Sequence, residues 1–121
     1  MRVTVSSNPN SGAAYQVRYE LIKGESLPLS YVMTPTSGNA DVPSAAVLTI
    51  AASRGGTAIY SGACTVTDST TSYTVALTVP AATLAAYSGR LYFSVEETHT
   101  DFTIKPVQGE IQIFDSVEVE S

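Results

Sequence analysis

Tryptophan is missing from this sequence, cysteine and histidine occur once each, and only six basic side chains accompany eleven acidic ones over 121 residues. Each shortage closes a class of function. With Cys64 alone, no internal disulfide forms and no Cys/His set has the spacing of a zinc site. With His99 alone, there is no histidine pair for a metal, and no base beside a serine with an orienting acid nearby. The six cations form no run or stripe, so the counterion release that drives nucleic-acid binding has no source, and no nucleic-acid partner is expected. No stretch approaches the ~20 apolar residues of a membrane span, so no membrane association is expected. Met1-Arg2-Val3-Thr4-Val5 lacks the apolar core of a secretion signal. No Asn-X-Ser/Thr acceptor occurs either, and the expectation is synthesis and folding in a cytoplasm.

What is abundant points to strands. Hydrophobic residues make up 44% of the chain and charged residues 14%, too apolar and too weakly charged for a disordered polymer. There are 15 Ser and 15 Thr, a quarter of the residues. Threonine suits a half-buried pleated surface, because its branched Cβ packs on the sheet while its hydroxyl faces water. The net charge of −5 is uneven: residues 1–95 hold five bases and four acids, whereas residues 96–121 hold one base and seven acids.

Apolar residues recur with a period of two in windows bounded by turn formers. In Ser72–Val79, Tyr73, Val75, Leu77 and Val79 share one face. In Tyr15–Leu21, Tyr15, Val17, Tyr19 and Leu21 do so, and in Arg90–Glu96 the inward set is Leu91, Phe93 and Val95. Weaker strands are expected at Leu27–Met33, Ala45–Ala52, Thr57–Tyr60, Ala63–Thr67, Phe102–Lys105 and Gly109–Phe114. Pro28 cannot donate to a ladder, so its strand is expected at an edge or broken. Turns are expected at Asn8–Gly12, Ser37–Asn39, Ser61-Gly62 and Asp68–Thr70, with a hairpin at Arg54-Gly55-Gly56. Pro80–Tyr87 is Ala-rich and opens on proline, which suits one helical turn bridging two sheets. Together these signals predict a single all-β domain, an antiparallel β-sandwich of about seven to eight strands with one short helical turn. The sandwich spans 15–114, residues 1–14 are an N-terminal arm or first edge strand, and 115–121 an acidic C-terminal tail.

No residue in this pattern asks to be catalytic, and no cofactor is implied. His99, in Glu96–Asp101, has the setting of a polar hairpin tip, where it could take a divalent ion only adventitiously. Cys64 shares a strand face with Val66 and reads as a small apolar core residue. Glu96 and Glu97 are adjacent, so on a strand they point to opposite sides and do not pair. Asp41, Asp68 and Asp101 read as turn formers. Tyr15, Tyr19 and Tyr73 fall on apolar faces, Tyr60 and Tyr92 on uncertain ones, and Tyr87 precedes Ser88-Gly89 like a sandwich corner residue.

The run Lys23–Leu29, the Ala45–Ala52 strand, Thr57–Gly62, the Ser72–Val79 strand followed by Pro80–Leu84, Ser88–Val95 and a final Gly109–Ile113 strand resembles the immunoglobulin-like domains of tailed-bacteriophage virion proteins. The likeness covers roughly residues 15–114. It implies an immunoglobulin-like fold, no catalytic residues, residence in the virion, and other virion proteins as partners, with the chain as a homo-oligomer or in symmetric copies. The role it implies is a capsid decoration or cement protein, alternatively a tail, neck, baseplate or fibre component. A carbohydrate- or host-binding module, a small hydrolase built on His99, and a pilus or adhesin subunit are the readings from other classes.

Overall fold

The computed structural model describes residues 2–6, 15–33 and 42–114. Among them the chain forms nine strands and one four-residue helix: β1 (Arg2–Ser6), β2 (Tyr15–Ile22), β3 (Leu27–Met33), β4 (Ala45–Ala51), β5 (Ala58–Ala63), β6 (Thr65–Asp68), β7 (Tyr73–Val79), α1 (Ala81–Leu84), β8 (Gly89–Thr98) and β9 (Thr103–Phe114). The larger sheet has the order β1-β2-β9-β8-β4-β5 and the smaller one β3-β7-β6. They make a two-layer sandwich, because β2, β3, β4, β7, β8 and β9 bury alternate residues over much of their length. In β8 these are Leu91, Phe93 and Val95, facing Leu27 and Leu29 of β3 and Val75 and Val79 of β7 within one apolar cluster. Fully burying each such side chain contributes about 1.5–3 kcal/mol.

Proline and glycine act where their chemistry requires. Pro28 lies on β3, an edge strand of the smaller sheet, where its missing N–H costs no ladder bond. Pro80 starts the single turn α1, which carries the chain from the smaller sheet back to the larger and buries Leu84. Gly55 takes φ 71° in the β4–β5 hairpin. Thr70 takes φ 71° in the β6–β7 turn, steadied by the bond from its N–H to Asp68 Oδ1 at 2.8 Å.

Four expectations need correction. The sheets are not purely antiparallel: β2 and β9 run parallel, from Tyr15 opposite Val107 to Ile22 opposite Phe114. This is possible because the chain leaves β2 for the other layer and returns to its neighbour only at the end. Ser61-Gly62 is not a turn but lies inside β5, with Gly62 opposite Leu48. Glycine is used there for room, since a Cβ would press on Tyr60 and Leu77, and the chain changes sheets instead at Cys64, whose N–H donates to Ala46 O at 2.8 Å. The two windows Phe102–Lys105 and Gly109–Phe114 fuse into one strand, β9. Its Pro106 is accommodated where the β8–β9 register shifts between Val95 and Glu97. Tyr15 is not core but 46% exposed at the strand's start. Tyr19 and Tyr73 are buried as expected, and Tyr60 and Tyr87 pack half-buried against the core. The N-terminal residues Arg2–Ser6 are an edge strand against β2. The turns at Asn8–Gly12 and Ser37–Asn39, Asp41, the rest of the N-terminal arm and the tail 115–121 lie outside the described residues.

Gly109 marks the tightest approach in the larger sheet, since a Cβ there would overlap the Val17 carbonyl oxygen across the parallel pair. Gly109→Ala is expected to cost about 3 kcal/mol or more in urea unfolding, because backbone rather than a soft side chain must move. Gly24→Ala, at φ 102° but with open space around it, is expected to cost only ~1–2 kcal/mol. Equal losses would show that the close β2–β9 approach does not limit the fold.

Candidate functional site

The inward set of β8 does not stop at Val95. Counting on by two reaches Glu97 and then His99, and both are buried, at 0% and 6% exposure, while Glu96 points outward. Glu96 and Glu97 therefore do face opposite sides. His99 is at a hairpin tip as expected, its N–H bonded to Phe102 O at 2.8 Å, but its ring is not exposed: it turns under the tip and stacks on Phe102, with centroids 4.6 Å apart and planes 12° from parallel.

Three donors converge on the buried carboxylate. From the smaller sheet, Tyr31 of β3 donates its phenol O–H to Glu97 Oε2 at 2.6 Å, and Tyr73 of β7 donates to Oε1 at 2.6 Å. His99 Nε2 lies 2.8 Å from the same Oε1, as a hydrogen bond or, with the ring protonated, an ion pair. The two tyrosines reach the same group because β3 and β7 pair with Met33 opposite Tyr73 and Tyr31 opposite Val75, making them diagonal neighbours on one inner face. A carboxylate only accepts, so three donors suit it. The phenol of Tyr31 is pushed far above its ordinary value, first by burial and then by its bond to Glu97. Burial likewise raises Tyr19 and the thiol of Cys64. Cys64 thus stays a thiol at neutral pH, and it packs half-buried against the core rather than inside it as the sequence suggested.

In chemical terms this is a clasp. Neither Glu97 nor His99 is open to a substrate, and the hydroxyls beside the acid are phenols, not the serine that a hydrolase reading of His99 needs. Among the described residues no three His, Cys, Asp or Glu side chains converge to hold a metal ion. Sequence reasoning missed Glu97 and Tyr31, although the signal was present: Glu97 continues the alternation of Leu91, Phe93 and Val95, and Tyr31 continues that of Leu27 and Leu29.

A second feature lies on the surface. Where β1, β2 and β3 border the sandwich, a groove of about 360 Å³ is lined by Val3, Tyr15, Tyr31, Val32, Met33 and neighbouring residues. Its rim holds Val3 at 45%, Tyr15 at 46% and Val32 at 60% exposure, large apolar groups left to solvent. A scan against family models and searches of curated proteins and of solved structures returned no match.

Glu97→Ala is expected to destabilise the fold by about 3–5 kcal/mol in chemical denaturation, since it strands two phenols and the His99 ring. Tyr31→Phe removes one donor and should cost ~1–3 kcal/mol. The pH dependence has a definite sign. An unfolded tyrosine ionises near 10, while Tyr31 in the fold holds its proton well beyond that. The contribution is therefore whole below about pH 10 and falls as pH rises past it. Unfolding free energies measured across that range should decline less steeply in Tyr31→Phe than in the parent chain, and parallel declines would rule the clasp out as their cause.

Proposed function

We propose that this chain is a structural protein of a tailed-bacteriophage particle, most simply a decoration or cement protein that holds the shell through packing contacts. The observation that carries the reading is the apolar rim of Val3, Tyr15 and Val32 around a groove whose lining, among the described residues, has no charged side chain. Such a patch on a domain with its own finished core suits contact with a neighbouring protein. The occupant proposed is the major shell protein, repeated by the particle's symmetry. Strand β1, at the edge of the larger sheet among the described residues and beside the groove, can extend a partner's sheet, adding backbone bonds to the apolar contact. A sealed polar cluster supports the same reading, because the most chemically loaded residues, Glu97 and His99, are committed to holding the layers together.

Mass spectrometry of purified particles tests the proposal. The chain is expected at copy numbers matching the shell lattice, on the order of hundreds. A few to a few dozen copies would move it to the tail, neck or baseplate, and absence from particles would end the virion reading. Val32→Asp, at an exposed rim position, is expected to leave the melting transition in place while abolishing incorporation, and particles lacking the protein should break down sooner on heating or in low salt. A Val32→Asp protein that still joins the particle at full occupancy would exclude this rim as the contact.

A further inference from the structure

The outer face of the larger sheet carries a row that the packing of the core does not explain. Register partners align Gln16 of β2 with Gln108 of β9, Gln108 with Ser94 of β8, Ser94 with Thr49 of β4, and Thr49 with Ser61 of β5. These are five neutral side chains in line across five strands, each able to donate and accept. The centre of the row, Thr49, Ser94 and Gln108, lines a groove of about 280 Å³ together with Arg54, Tyr92 and Lys105.

The groove has a charged wall. Arg54, on the β4–β5 hairpin, lies over the Tyr92 ring with its guanidinium carbon 4.9 Å from the centroid, and its Nη2 is 3.7 Å from Glu110 Oε2. Glu110 is held in turn by Arg90, whose Nε is 3.6 Å from Oε1. A guanidinium offers five N–H donors in a rigid fork, more than one carboxylate oxygen takes up, so donors remain for a ligand.

We propose that this groove binds an acidic oligosaccharide, with the sugar hydroxyls on Thr49, Ser94 and Gln108 and a sugar carboxylate on Arg54 and Lys105. Hydroxyls that both donate and accept match hydroxyl and amide side chains that do the same. Strands ~4.8 Å apart also offer a new partner at about the rise of one pyranose unit in an extended chain. An acidic peptide fits less well. The groove lies in mid-sheet, where the backbone groups a peptide would pair with are already in ladders. The proposal is independent of the virion reading, since the groove lies on the outer face and the apolar rim at the sheet edge.

The probes are uronate- and sialate-bearing oligosaccharides, a neutral oligosaccharide of equal length, and a peptide with the sequence of residues 115–121, titrated into the labelled protein by amide-shift NMR. At least one acidic oligosaccharide is expected to shift Thr49, Ser94, Gln108 and Arg54 together, with the neutral one about tenfold or more weaker. Arg54→Ala, at an exposed hairpin tip, should remove that preference while the melting temperature holds, and Gln108→Ala should weaken every oligosaccharide that binds. No response to any acidic oligosaccharide, equal affinity for the neutral one, indifference to Arg54→Ala, or tighter binding of the peptide would each overturn it.

Discussion

A single carboxylate ties the two layers of this sandwich together. Glu97 belongs to the larger sheet by its backbone and to the smaller one by its hydrogen bonds, because Tyr31 and Tyr73 reach it from β3 and β7. The apolar core fixes which face of each strand points inward, because a slip of one residue would turn Leu91, Phe93 and Val95 out to solvent. A fully buried carboxylate does not tolerate that slip, since moving either layer by one pair would leave an acceptor and two phenols without partners at several kcal/mol each. The clasp therefore adds a second constraint on how the two layers align, beyond the one that burial imposes.

Local features of β8 and β9 put Glu97 where it can do this. The register shift between Val95 and Glu97 accommodates Pro106, and beyond it Glu97 pairs with Ile104 before the hairpin closes through His99 and Phe102. The stacked His99 and Phe102 rings cover the acid from the tip side, excluding the water that would weaken its bonds. The acidity concentrated after residue 95 is thus partly absorbed by the fold: Glu97 is spent in the interior, and Glu110 is held between Arg54 and Arg90.

Period-two alternation made most of the sandwich legible, because burying one face of a strand leaves a mark in the letters themselves. β3, β7 and α1 lie where Leu27–Met33, Tyr73–Val79 and Pro80 indicated. The errors share one cause, which is that partners distant in sequence decide what a residue does. Ser61-Gly62 has the composition of a turn, but Tyr60 and Leu77 need the space that glycine leaves. Tyr15 has the right parity for the core yet sits where the sheet ends. Glu97 has the right parity too, and was set aside as polar because its three donors lie 66 and 24 residues upstream and two residues ahead. The parallel β2–β9 pair left no local trace at all.

The same distribution of chemistry separates interior from surface. Glu97 and His99 are locked between the layers, where they serve alignment. What faces outward is of two kinds. An apolar rim gathers at the edge where β1 and β3 border the sandwich, and a hydrogen-bonding row with the Arg54 guanidinium beside it crosses the middle of the larger sheet. Binding on such a face loses little to ordering, because strands already in ladders hold Thr49, Ser94 and Gln108 in place. A rigid domain clasped from within can thus present two unlike surfaces at once, and changes at one need not disturb the other, since the clasp and core that lie between them fix both.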